Sequence, residues 1–148
     1  MANAENWSLA TDVLLLAAQL VEAVQEGVAR RGFPDVRPAH GFAFARISAG
    51  DATIADVAEH LGVSKQAAAQ LVHQLEECGY VTRQPHPLDA RAALLALTEK
   101  GFACTLAAED AASEAVARWR TTLGEPRFRQ LQGVLRAIVK PGSLRPGW

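Results

Sequence analysis

The stretch IADVAEHLGVSKQAAAQLV, Ile54 to Val72, constrains the fold more than any other part of the chain. Thr53 is a good helix N-cap, and Asp56 stands three residues on, at the reciprocal position of a capping box. Val57, Ala58 and Leu61 recur on one face, and Gly62 stops the helix because glycine tolerates positive φ. Ser64 caps a second helix that runs to Cys78, with Gly79 as its C-terminal stop. Two helices meeting steeply through so short a turn need a small residue at their contact, which Ala58 supplies. They also need apolar side chains on both inner faces, which Val57, Leu61, Val63, Ala68 and Leu71 supply. An ordinary helical hairpin shares parts of this pattern. The agreement of small residue, glycine and apolar positions favours a helix-turn-helix.

Beyond Gly79 the pattern changes. YVTRQ is short and β-prone, PHPLDA is a turn with two prolines, and RAALLALT is an apolar run that could pair back as a strand. Alanine and leucine are weak strand formers, so propensity alone leaves helix open for that run. If it pairs, the motif is a winged helix-turn-helix. The flanks read as helices. Ser8 to Arg31 carries Val13, Leu16, Ala17, Leu20, Val24 and Val28 at helical spacing, widened by Leu14, Leu15 and Val21 into a face buried on two sides. Gly32 and Pro34 end it. Arg37 to Ser48 is a shorter helix with Pro38 near its start. Thr98 caps a long helix to about Thr122, GEP breaks it, and a last helix starting near Pro126 puts Phe128, Leu131, Leu135 and Ile138 on one narrow seam. PGSLRPGW reads as a loose tail.

The expected fold is therefore mainly α with a small β-hairpin wing. It is a single domain over residues 1–148, with a winged helix-turn-helix lobe over 37–100 and a helical dimerisation region over 8–31 and 99–140. The dimer follows from the wide apolar faces, which one small lobe cannot cover.

Composition narrows the function classes. No run of eighteen apolar residues occurs, and VLLLAAQLVEAV is interrupted by Gln19 and Glu22, so no membrane span is expected. MANAENWS lacks the order of a signal peptide, and Cys78 and Cys104 have no CxxC spacing, which reads as a reduced, cytoplasmic protein. Both thiols are expected to be buried and inert, Cys78 on the core side of its helix. The net charge is −1, and residues 37–101 hold six basic against seven acidic side chains, so any nucleic-acid affinity must rest on a few well-placed contacts. No Ser/His/Asp, paired-carboxylate or Gly-rich phosphate signature points to an enzyme. His40, His60, His73 and His86 fall on four different elements without paired spacing, so neither a metal nor a cofactor is expected.

LGVSKQAAAQLVHQLEECGYV, the wing PLDARAALLALTEKG with its D-x-R, and LTEKG opening the next helix carry a family resemblance. Over nearly its whole length the chain resembles MarR-family transcriptional regulators. The resemblance implies homodimers built from the first and last helices, binding to near-palindromic double-stranded DNA, and in many members release by a small, often aromatic or phenolic, effector. It also implies that Arg91 enters the minor groove, where a narrow A·T-rich tract attracts a guanidinium. Asp89 would repel phosphate, but two residues from Arg91 it can orient the guanidinium by a charge-assisted pair. Ala90 stands where family wings often carry a second basic residue.

The second helix of the motif is the candidate reading helix. Ala68, Leu71, Val72, Leu75 and Cys78 form its expected buried face. The opposite face carries Gln66, Ala69, Gln70, His73 and Glu77, with Lys65 at the start. Glutamine can bond adenine bidentately and an alanine methyl can pack on thymine, so Gln66, Ala69 and Gln70 suit A·T-containing half-sites. Ser64 and Lys65 are expected at phosphate, as is Arg83 on the first wing strand. For His73 a backbone contact and simple solvation are equally good readings. An effector pocket would draw on Trp7, His40, Phe44, Arg46 and Trp119, although core packing explains these aromatics equally well. The sequence thus points to a dimeric repressor. The alternative is a winged-helix protein-interaction module, which the alanines and the near-neutral charge suit.

Overall fold

The computed structural model describes residues 1–142. In chain order it contains α1 (Ala2–Arg30), α2 (Pro38–Ser48), α3 (Ile54–Leu61), α4 (Lys65–Glu77), β1 (Val81–Pro85), β2 (Ala93–Leu97), α5 (Glu99–Leu123) and α6 (Glu125–Ile138). Helix α1 starts six residues ahead of Ser8, since nothing in ANAENW breaks it. Of the tail PGSLRPGW, residues 143–148 lie outside the described residues.

The caps expected around the helix-turn-helix form. Thr53 N–H donates to Asp56 Oδ2 at 2.8 Å and Asp56 N–H returns a bond to Thr53 Oγ1 at 3.3 Å. These bonds hold the Asp56 carboxyl below the usual carboxylate range, the backbone N–H of Thr53 contributing most. Gly62 takes φ 68° and ψ 34°, the left-handed geometry the tight turn demands. Ser64 Oγ accepts from Ala67 N–H at 3.1 Å and opens α4.

The run RAALLALT is a strand despite its composition. β1 and β2 pair antiparallel from Val81↔Leu97 to Pro85↔Ala93, and Leu95 N–H also donates to Ala52 O at 2.8 Å. Leu95 thus lies between its register partner Arg83 on β1 and its bridge partner Ala52, and its side chain, like that of Leu97, is buried. Pairing and burial override the weak propensity of leucine.

Tyr80 sits at the centre of the core formed by Val28, Phe44, Ile47, Val57, Val72, Leu75 and Leu95. Its ring lies 5.6 Å from that of Phe44 and 6.2 Å from that of Phe33. Its hydroxyl donates to Asp35 Oδ1 at 2.7 Å, which satisfies the polar end of an otherwise buried side chain. Burial, then this bond, pushes the Tyr80 phenol up, and the same hydroxyl is the main cause that lowers the Asp35 carboxyl.

Helix α5 joins the lobe to α1. Thr98 Oγ1 donates to Gly79 O at 2.5 Å and accepts from Gly101 N–H at 3.2 Å. A side chain at Gly101 would collide with the Tyr80 carbonyl, so the glycine of LTEKG serves close approach of helix and strand. Further along, Cys104, Ala107, Ala111 and Ala115 form a buried stripe of small residues, and Gly27 of α1 packs directly on Ala111. Arg30 and Arg31 close that junction on Glu114 at 3.8 and 3.1 Å.

Three expectations about burial are corrected. Val63 is exposed, because Gly62 swings it out of the turn. Cys78 is exposed at the C-cap of α4, where the chain leaves the helix; only Cys104 is buried, and burial pushes its thiol up to about 11. Helix α1 is not buried on two sides within one chain. Of its residues only Gly27 and Val28 are buried, while Leu9, Val13, Leu14, Leu15 and Leu16 are exposed. By length and composition alone α1 could also cross a membrane, with a mean hydropathy of 1.4 over eighteen residues.

Candidate nucleic-acid interface

Ala68, Val72 and Leu75 seat α4 against the lobe. That rotation leaves Lys65, Gln66, Gln70 and His73 on the open side, beside the capping Ser64. Of the alanines beside Ala68, the one expected on the outward face, Ala69, is the more covered. Ala67 is exposed and Ala69 is half-buried, since they lie about 100° to either side of Ala68 and the Ala69 flank is the more covered. Gln66 and Gln70, one turn apart, remain the outward pair. His73 faces Glu77 at 3.4 Å, an exposed i, i+4 contact that places a carboxylate at the C-terminal end of the same face.

Arg83 is not a free cation. Its Nε donates to Glu76 Oε1 at 2.7 Å, tying the first wing strand to the last turn of α4. Glu76 escaped the sequence reading because it lies on the flank of α4, and only the turn at Gly79 brings it to Arg83.

The wing tip is built from side-chain acceptors. Pro85 and Pro87 flank His86, whose Nδ1 accepts from the backbone N–H groups of Leu88 and Asp89, both at 3.1 Å. Asp89 Oδ1 in turn accepts from the backbone N–H of Arg91 at 2.9 Å. This corrects the expected Asp89–guanidinium pair: the two-residue spacing closes an Asx turn on the backbone instead. The Arg91 side chain is exposed and has no ion-pair partner among the described residues.

The five residues expected around an effector are not gathered in one cavity. Phe44 is 2% exposed and packs on Tyr80. His40 Nδ1 accepts from Arg37 N–H at 3.0 Å, and burial, then the Arg37 charge, lowers its imidazole. Arg46 donates to Gly50 O at 3.0 Å and faces Asp56 at 3.8 Å. Trp119 is half-buried on α5, and on α1 the residues Ala23, Glu26 and Arg30 face α5 across a small pocket lined by Ala111, Glu114, Ala115 and Arg118. Trp7 is 75% exposed and lies sixteen residues before Ala23, about 24 Å along the helix. An open groove of about 500 Å³ lies instead between α5 and α6, lined by Ala112, Val116, Arg120, Phe128 and Gln132 among others, with the Arg120 guanidinium 4.4 Å over the Phe128 ring.

The MarR family model matches residues 35–92, the span from the approach to α2 to the wing tip, ending just before β2. Over that span the chain is similar to the MarR family, and the fold it takes there is a winged helix-turn-helix. The MarR fold also extends over the flanking helices. RV1404 from Mycobacterium tuberculosis is 24% identical with a TM-score of 0.78, covering 93% of this chain and 94% of its own. Apo MarR from E. coli is 19% identical with a TM-score of 0.72, covering 89% and 97%. A MepR mutant from S. aureus, bound to an oligodeoxyribonucleotide, is 16% identical with a TM-score of 0.67, covering 88% and 94%. No curated protein matches the sequence.

Proposed function

We propose that the chain is a DNA-binding transcriptional regulator, acting as a dimeric repressor at near-palindromic operators. The observation that carries the reading is the juxtaposition in one lobe of an α4 face bearing Lys65, Gln66, Gln70 and His73 with a wing whose Arg91 is exposed and has no ion-pair partner among the described residues. Lys65 and the N-terminus of α4 suit phosphate, Gln66 and Gln70 suit adenine edges, and Arg91 suits a narrow minor groove. Ala67 joins Ala69 as a small surface near the bases. Arg83, already paired, contributes less charge than a free arginine, and Asp89 acts through the turn that carries Arg91.

The dimer reading rests on Leu9, Val13, Leu14, Leu15 and Leu16 of α1 and on Val134, Leu135 and Ile138 of α6, apolar side chains left exposed at both ends of the chain. A second copy of the chain covers this surface better than a bilayer does, because the last turns of α1 already pack on α5 and pair with Glu114. Such a dimer sets two α4 helices about 34 Å apart, one DNA turn. Cytoplasmic location and release by an aromatic or phenolic effector belong to the same reading. The effector would enter where the dimer helices meet the lobe.

The test is binding to DNA upstream of the chain's own gene across a salt series, with sedimentation of the free protein. Specific binding that weakens steeply with salt, by a dimer, is the expected result. A monomer at micromolar concentration sinks the dimer. Absence of binding to any A·T-containing palindrome at low salt favours the protein-interaction module.

A further inference from the structure

His86 is the one wing side chain that accepts two backbone hydrogen bonds. Pro87 has no N–H, so the first donors after His86 are Leu88 and Asp89, and both aim at its Nδ1 at 3.1 Å. The geometry copies the turn that asparagine or aspartate makes with the two donors beyond its neighbour. Asp89, ordered by this turn, bonds the backbone N–H of Arg91 at 2.9 Å. A continuous chain of contacts therefore runs from the imidazole to the residue assigned to the minor groove.

We infer that His86 is the positioning residue of the wing, and that it holds Arg91 in place only while its ring is neutral. The inference rests on the DNA-binding reading of Arg91. Nδ1 must be a bare acceptor, so the neutral ring carries its proton on Nε2. Protonation puts an N–H at Nδ1, facing two N–H donors; both bonds are lost and the turn opens. Histidine ordinarily makes this change between pH 5 and 8. The charged groups facing the half-buried ring are few. Asp56 at the start of α3 acts on it through space, and Arg46 of α2 offsets Asp56 from 3.8 Å. Asp89 and Arg91 lie on the wing itself.

Two variants of the full chain separate an acceptor from a packing role. His86→Ala removes the acceptor; His86→Asn keeps an oxygen acceptor that does not titrate. Operator binding by His86→Ala is expected to weaken about tenfold near pH 7.5, with binding by His86→Asn within about threefold of the parent. Acidification to about pH 5.5 should weaken the parent roughly tenfold and His86→Asn far less, since the latter keeps His73 and every other titrating group. In the free protein, the amide resonances of Leu88, Asp89 and Arg91 should move together with the imidazole titration. The inference is overturned if His86→Ala binds like the parent, if His86→Asn is as weak as His86→Ala, or if both pH profiles coincide. If the parent binds no DNA at any pH, the functional reading fails instead, and the amide titration still decides whether His86 orders the wing.

Discussion

Val72 and Leu75 on α4 are sealed in the core, whereas Leu14 and Leu15 on α1 are just as apolar and stand open to solvent. Both sets sit on well-formed helices, so local structure does not distinguish them. The difference lies in what each helix has to pack against. The lobe supplies α4 with α3, β1 and the Tyr80 ring. The first half of α1 has no counterpart among the described residues, and a helix that is apolar nearly all round needs a surrounding. Lobe stability and assembly should therefore respond to different mutations.

Leu75→Ala should produce the largest loss, about 2–5 kcal/mol in denaturant unfolding, because the cavity lies in a closed core. A similar loss from Leu15→Ala at high dilution would break the contrast. Leu15→Asp should leave the lobe folded yet raise the dimer dissociation constant by about a hundredfold or more, read by sedimentation, since an unpaired charge would be buried between the copies. Arg91→Ala should weaken operator binding roughly tenfold with an unchanged melting temperature, as the wing tip is exposed.

Tyr80→Phe should cost about 1 kcal/mol, the net worth of one hydrogen bond to a carboxylate at the edge of the lobe. Its pH dependence has a definite sign. The Asp35 carboxyl is lowered in the folded protein, so that contribution is full above the ordinary carboxylate range and fades as pH falls through the lowered value. The Tyr80 phenol is raised, so its share holds below the ordinary phenol range near pH ~10 and fades above it. The difference between parent and variant should be a plateau from about pH 5 to 9, shrinking at both ends. The smallest effect is expected for Glu76→Gln. Releasing Arg83 should tighten DNA binding by about two- to threefold and steepen its salt dependence, with little change in stability. Weaker binding would instead make Glu76 a support that orients Arg83.

Much of the lobe was legible in the sequence because its signals are local. Thr53 with Asp56, Gly62, Ser64 and Thr98 each act within a few residues, and each forms the cap or turn its chemistry allows. The outward placement of Gln66 and Gln70 follows from helical periodicity in the same way. Contacts that cross between elements were not legible. Arg83 looked available for phosphate until the fold brought Glu76 against it, and Asp89 was assigned to a guanidinium that its turn geometry bypasses. His86 was weighed only as a metal ligand, although a histidine entering a proline-bounded turn, with free donors two and three residues on, was the available signal for a wing acceptor.

By itself, then, the sequence determined the caps, the tight turn and the faces of α3 and α4, since these depend on hydrogen bonds and periodicities spanning one or two turns of chain. The tertiary structure alone decided that an alanine- and leucine-rich run is a strand, because its pairing partners are Val81 to Pro85 and the distant Ala52. It decided, too, that Gly101 must lack a side chain, because the Tyr80 carbonyl occupies that space. Local chemistry selects the elements of this chain, and contacts between residues far apart in it select which side chains are left free to act.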